Sequence, residues 1–447
     1  MFRKWLIATG ILVVSGIFVA GCSDDDDDGT APVSEDLRTR FELTTLGPIP
    51  YPPDNHPRQE RIALGRLLFY DPILGGEMDV ACATCHHPDF AFADRRQFGA
   101  GASGVGLGPD RLVSRSVYTN EEISLEPRNS PTIFNTAFNG DESGEPSHMG
   151  FQFWDGRVMG LEEQATKPIT SRVEMRGDAY PGTETEAADA ALDSVLNRLR
   201  EIPEYVTRFM EAFPDDAALV DENHPELIID KSTYGRAIGA FERELVTRNS
   251  PFDRYVRGDD DALDDMQKLG LEVFFTKAKC GQCHTGPMFS DFNFFPVGVP
   301  QEGVGKEVIP GDDAGREEFT GDPADRFAFR TPTLRNVELT PPYMHDGVFE
   351  SLEEVVEFYD DGCRPRHPSV TDDMMDSILV QPLGLTAEEK QALVEFMKAL
   401  TDPGTALDPF LLSVPDRVPS GLAPVFGVRA LDASSTLPAH EPYELSL

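Results

Sequence analysis

Apolar residues recur with helical spacing along most of the chain, and strict alternation is scarce. The stretches Glu60 to Phe69, Ala190 to Phe213, Ser232 to Thr247, Leu263 to Phe275, Leu352 to Phe358 and Ala387 to Leu400 place apolar side chains three and four apart. That is the period of one helix face. Between them, residues 95–150 are rich in Gly, Ser and Asn with little periodicity, and 286–330 is loop-like too. A long irregular run inside a domain is more often functional than idle. Pro48 to Pro57 reads as extended, and the Pro- and Ser-rich chain beyond Pro403 reads as a tail that wraps the surface. Leu64-Gly65 with Phe69 and Leu269-Gly270 with Phe274 form a weak internal repeat. Duplication of one helical unit is the economical explanation. The expected fold is mostly α, in two similar lobes.

The N-terminus changes the picture of where the chain works. Arg3 and Lys4 precede an apolar stretch from Trp5 to Val19, too short for a confident membrane span and suited to a signal sequence. It ends in Val19-Ala20-Gly21-Cys22, which looks like a bacterial lipobox. Such signals imply cleavage before Cys22 and lipidation of its sulfur, with firm membrane anchoring from several acyl chains. An ordinary signal peptide followed by an incidental cysteine is the plainer alternative. Asp24 to Asp28 and Gly29 read as a self-repelling tether, and Ser23 after the cysteine mildly favours the outer membrane. The expected location is the cell envelope, facing the periplasm. The expected domains are 1–21 (signal), 22–40 (tether), 41–250, 251–403 and an irregular tail over 404–447.

A net charge of −39 over 447 residues argues against nucleic acid and against basic-patch docking on anionic lipid. It suits a cationic partner, a salty medium or simply a solvated acidic surface.

Two cysteine pairs carry the chemistry. Cys82-Ala83-Thr84-Cys85-His86 and Cys280-Gly281-Gln282-Cys283-His284 both match C-x-x-C-H, the c-type haem attachment motif. Two thiols add across the haem vinyl groups, and the adjacent histidine reaches the iron. A four-cysteine zinc site needs no histidine after each pair and usually has closer pairs. A redox C-x-x-C expects a βαβ context, which the pattern lacks. The expectation is two covalent haems, with His86 and His284 as iron ligands. What each haem does depends on its other axial position.

The chain from about Arg61 to Leu400 resembles the bacterial dihaem cytochrome c peroxidase and MauG family. The resemblance rests on Leu64-Gly65-Arg66-Leu67-Leu68-Phe69, Asp71-Pro72, Arg128-Asn129-Ser130-Pro131-Thr132 and Phe153-Trp154-Asp155-Gly156-Arg157. It continues in Arg330-Thr331-Pro332-Thr333-Leu334-Arg335-Asn336 and Tyr343-Met344-His345-Asp346-Gly347. It implies two cytochrome c-like haem lobes with long irregular loops and few strands. It also implies a peroxidatic first haem with Glu174 and Gln164 over its distal face, and Trp154 between the haems. Peroxide cleavage needs a base that takes a proton from one oxygen and returns it to the other, which a carboxylate beside an amide can do.

Two departures place the chain on the MauG-like branch. Typical cytochrome c peroxidases carry a loop histidine that fills the first haem's sixth position, and between His87 and His148 this chain has none. His87 follows the proximal ligand and cannot easily reach the other face, and His148 reads as a loop residue. An open first haem is expected. At the second haem, Tyr359 stands where peroxidases place methionine, and a phenolate favours the ferric state; Met344 is the alternative ligand. The resemblance further implies a calcium ion held by Asn129 and by the carbonyls of Thr340 and Pro342. Cys363 reads as a buried or loop thiol. The implied partners are hydrogen peroxide and either a small redox protein or an oxidisable protein substrate. A dihaem electron carrier, with both haems six-coordinate, and a small-ligand sensor are the rival functions.

Overall fold

A computed structural model describes residues 36–425 except 114, 304–305, 307–308, 310 and 405–406. The signal sequence, Cys22, the Asp24–Asp28 run and the chain beyond 425 lie outside the described residues. Seven helices of nine or more residues make up the frame among the described residues. They are α1 (Gln59–Phe69), α2 (Glu184–Arg200), α3 (Pro203–Ala212), α4 (Lys231–Arg243), α5 (Asp265–Phe275), α6 (Leu352–Asp360) and α7 (Ala387–Lys398). Strands are few and short: three two-stranded antiparallel pairs, Gly104–Val105 with Leu112–Val113, Phe151–Gln152 with Val158–Met159, and Phe294–Pro296 with Ala328–Arg330. None of the described helices is long and apolar enough to cross a membrane.

Local chemistry explains the helix starts. Asp230, Asp264, Ser351 and Thr386 each accept a hydrogen bond from the backbone N–H three residues on, satisfying a donor that the helix itself leaves unpaired. The expected helix Ala190 to Phe213 is two helices, because Pro203 lacks the N–H that a continuous helix needs and instead opens a new first turn. The helix expected to run to Thr247 stops at Arg243. Beyond it, Thr247 donates its N–H to Asn135 Oδ1 (2.8 Å) rather than to a preceding turn.

The repeat glimpsed in the sequence is a repeat in space. Helices α1 and α4 cross at Gly65, where a Cβ would lie 1.9 Å from the Ala237 carbonyl oxygen and 3.0 Å from Phe241 Cβ. Helices α5 and α7 cross in the same manner at Gly270, where a Cβ would lie 1.9 Å from the Ala392 oxygen and 2.7 Å from Phe396 Cβ. Each pair heads its own core. Leu64, Leu68, Leu199, Tyr205, Phe209 and Ile238 pack in the first, and Leu271, Phe274, Phe289, Leu393 and Phe396 in the second.

The chain ends cross over. Residues on both sides of the 41 boundary dock on the second core. Leu37 and Leu43 pack there, Phe41 stacks on Phe275 (5.0 Å between centroids), and Arg40 pairs with Glu272 (2.6 Å). The described part of the tail, up to Val425, packs on the first half instead. Leu411 and Val418 join Phe69, Tyr70 and Phe92, Ser420 donates to Asp71 (2.7 Å), and Val425 N–H donates to the Tyr70 carbonyl (3.2 Å).

Gly65→Ala and Gly270→Ala are each expected to cost about 1–3 kcal/mol or more, since the facing element is rigid backbone. Gly47→Ala, with nothing within 4 Å of the added carbon, should be near neutral. Thermal melting of the three variants checks this.

Candidate functional site: a cavity shared by two haem-attachment motifs

One cavity of about 820 Å³ is bordered by Cys82, Cys85 and His86 and also by Cys280, Cys283 and His284. The two motifs sit on equivalent scaffolds. His86 Nδ1 lies 3.1 Å from the Phe92 carbonyl oxygen, and His284 Nδ1 lies 2.9 Å from that of Phe289. Burial disfavours the charged imidazole at both positions, against the pull of these carbonyls. A neutral ring that donates Nδ1–H to a carbonyl leaves the Nε2 lone pair free for a metal.

The scaffold repeats further along the chain. Thr132 and Thr333 donate their hydroxyls to the carbonyls of Ala91 (2.7 Å) and Met288 (2.6 Å). Asn135 and Asn336 are both left-handed (φ 62° and 60°), and both amides donate to the Thr247 hydroxyl (2.7 and 2.8 Å). Pro-Thr-x-x-Asn at 131–135 and 332–336 was the available sequence signal for this.

The residues present fit covalent haem. All four thiols border the cavity, and burial raises each of them, Cys280 to about 12 and Cys283 to about 11. Among the described residues no cluster of three or more His, Cys, Asp or Glu is placed to hold a metal ion. The four cysteines are thus not gathered into the single cluster that a four-cysteine zinc site needs.

The other predicted residues converge on the same cavity. Gln164, Glu174, Trp154, Tyr359, Asn129, Thr340 and Pro342 all border it, and so does Met344. Gln164 ends a four-residue helix, Leu161–Gln164. Glu174 sits in the turn Arg172–Arg176, packed so closely on Gly101 that a Cβ there would lie 2.2 Å from the Glu174 carbonyl oxygen. Burial raises the Glu174 carboxyl, while Arg157 and the Ser171 hydroxyl oppose the rise. Trp154 Nε1–H donates to the Asn129 carbonyl (2.9 Å), and its own carbonyl accepts from Arg330 N–H (2.7 Å). It is thus tied to the segments leading into both Pro131 and Pro332. Tyr359 is raised first by burial and then electrostatically by the thiols of Cys363, Cys280 and Cys283, two of which belong to the second motif. His87 and His148 do not border the cavity, and Cys363 is fully buried.

Sequence reasoning missed several cavity residues. Glu242 borders it as a buried carboxyl, pushed by burial up to about 8, and Glu126 as a half-buried one whose Oε1 is shielded from solvent. His345 lies stacked on Phe329 (3.7 Å), its Nε2 buried without a hydrogen-bond partner among the described residues. Arg128 bridges Asp155 (2.6 Å) and Asp313 (2.6 Å), joining both halves beside the cavity. No short motif announces the two glutamates; only the fold gathers them.

Comparison with known proteins decides the family. The pattern of the di-haem cytochrome c peroxidase family matches residues 59–261. The cytochrome-c peroxidase IdrP1 of Pseudomonas sp. (strain SCT) is 34% identical over 384 residues, spanning 80% of this chain and 85% of that protein. The chain belongs to the dihaem cytochrome c peroxidase family. The methylamine utilization protein MauG of Methylorubrum extorquens is 31% identical to this dihaem peroxidase over 402 residues, covering 88% and 94% of the two chains. The crystal structure of a MauG-like protein associated with microbial copper homeostasis superposes with a TM-score of 0.63 at 29% identity, covering 84% of this chain and 99% of that one.

Mass spectrometry of the denatured protein should find two covalently attached haems, and Cys82→Ser/Cys85→Ser should keep one. Loss of both haems, or of neither, contradicts the assignment of one haem to each motif.

Proposed function

We propose that this dihaem peroxidase is of the MauG-like kind, with peroxide reduced at the His86 site and electrons delivered through the His284 site. Each glycine-crossed helix pair, with its motif, is the core of one cytochrome c-like lobe. The observation that carries the reading is the single cavity, which gathers two attachment motifs, a carboxyl, an amide and an indole from segments far apart in sequence.

The haems supply the redox chemistry, taking electrons from a donor and passing them to peroxide. The chain's own residues supply the rest. Glu174 accepts a proton from peroxide and gives it back as water forms, the task for which a positioned carboxylate is suited. Arg157, with its guanidinium 3.7 Å from the Phe153 ring and 2.9 Å from Asp155, favours the ionised form of Glu174. The Gln164 amide orients peroxide without itself exchanging a proton. The closeness of Gly101 fixes the turn that carries Glu174, so the carboxyl needs no rearrangement to act. Trp154, bonded to both site segments, would stand between the two haems.

The first site takes no second histidine from residues 87–148, since neither His87 nor His148 borders the cavity. This supports an open haem, ready for peroxide without prior reduction. The phenol of Tyr359, close to Cys280 and Cys283, supports its role as the second haem's other ligand. Asn129, Thr340 and Pro342, all on the cavity lining, offer hard oxygens, the donor type that calcium takes. The lipobox ending in Cys22 supports a lipid-anchored protein of the cell envelope, facing the periplasm. Electrons come from a small redox protein or from side chains of a protein substrate. An acidic surface suits a cationic donor.

Glu174→Gln should lower peroxide turnover by about a hundredfold or more while both haems stay attached, and undiminished turnover would sink the assignment. Tyr359→Met should raise the second haem's reduction potential, because phenolate favours ferric iron. A redox titration that finds no change removes Tyr359 as a ligand.

A further inference from the structure

Glu174 is not alone at the peroxide end of the cavity. Glu126, in the irregular segment before Arg128, borders the same space. Its backbone N–H donates to the Gly99 carbonyl (2.8 Å), and its Cγ lies 3.0 Å from where a Cβ on Gly99 would stand. Gly101, two residues on, is the residue packed against the Glu174 turn. One short stretch, Gly99 to Gly101, therefore backs both carboxyl-bearing segments. Both carboxyls also act electrostatically on Cys85, in the first attachment motif.

The two differ in what stabilises them. Glu174 has the Ser171 hydroxyl and the charge of Arg157. Glu126 has one oxygen, Oε1, buried with no hydrogen-bond partner among the described residues. A buried, unpaired carboxylate oxygen is costly, and the neutral acid removes most of that cost. The charged groups facing Glu126 are Glu174 and Asp94, which favour the neutral acid, and Arg157, which opposes it. Burial adds to the first two, and the carboxyl rises well above the ordinary carboxylate range. Two nearby carboxyls in unlike surroundings divide into one acid and one base.

We propose that Glu126 is a second proton-carrying residue of the peroxide site, a neutral acid working beside the Glu174 base. The inference rests on the reading of Glu174 as the group that accepts the first proton. Peroxide reduction consumes two electrons and two protons and gives two waters. Glu174 takes the proton of the near oxygen. The O–O bond breaks with its electron pair going to the far oxygen, which takes the Glu126 proton and leaves as water. The near oxygen becomes the second water with the donor's two electrons, the proton held by Glu174 and one from solvent. A second solvent proton restores Glu126. With an acid in place, Glu174 need not carry one proton between both oxygens.

Infrared spectroscopy of the ferric holoprotein at neutral pH, in water and deuterium oxide, tests this without turnover. Glu242, protonated at neutral pH, contributes one carbonyl band of a protonated carboxyl, and a further band present in the wild type and in Glu174→Gln should be missing from Glu126→Gln. The same Glu126→Gln variant should lose about a hundredfold in the rate of reaction with peroxide and lose the alkaline limb of its pH profile. Its melting temperature should not fall, because a neutral amide replaces a neutral acid. A protonated-carboxyl region that is the same in the wild type and Glu126→Gln, or an unchanged alkaline limb, overturns the proposal. If Glu126→Gln behaves as expected while Glu174→Gln keeps full turnover, the role given to Glu174 fails and Glu126 stands as the acid.

Discussion

Each attachment-motif histidine is aimed by one hydrogen bond from its Nδ1 to a phenylalanine carbonyl, and much of the molecule serves to keep those two carbonyls in place. Phe92 and Phe289 both take left-handed backbone conformations, φ 54° and 51°, which a bulky residue rarely adopts. Such a conformation costs on the order of 1–3 kcal/mol and persists only where the surroundings over-determine it. Here the surroundings do so. Phe92 is fully buried among Phe69, Phe134 and its neighbours, and Phe289 among Phe252, Phe274 and Phe396. Aromatic packing thus holds a strained carbonyl where it can fix the tautomer of a histidine. The same device appears twice, once in each half.

The duplicated scaffolds are held in a fixed relation to one another. Asn135 and Asn336, one from each scaffold, meet on the hydroxyl of Thr247. Trp154 is bonded to both site segments, and Arg128 bridges carboxylates from both halves. The crossed chain ends add further ties, the N-terminal segment on the second core and the tail on the first. Electron transfer between two centres falls off with their separation and orientation. A structure that bolts them together at several points suits an enzyme that must collect electrons at one centre and use them at the other.

The helices and the haem motifs were legible in the sequence because each is a local signal. Helical period gave α1, α5, α6 and α7 to within two residues, and C-x-x-C-H needs no tertiary context. The resemblance to known peroxidases named Glu174, Gln164, Trp154 and Tyr359, and the fold gathers all four on one cavity. Pro203 was readable as a break between α2 and α3, but an apolar pattern running across it outweighed the breaker. Glu126 and Glu242 were not readable, since one lies in an aperiodic loop and the other on a helix whose every residue from Thr233 to Arg243 is buried. Their environment is made by contacts remote in sequence. The docking of residues 37–43 on the second core was hidden for the same reason.

Peroxide chemistry of the MauG-like kind requires that the first haem stand open above His86 while the second is filled. The most direct test is the optical and EPR spectrum of the as-isolated ferric protein, before and after one equivalent of hydrogen peroxide with no reductant added. One high-spin and one low-spin haem are expected, with a prompt spectral change on adding peroxide. Two low-spin haems that peroxide leaves unaltered until a reductant is supplied would contradict that reading.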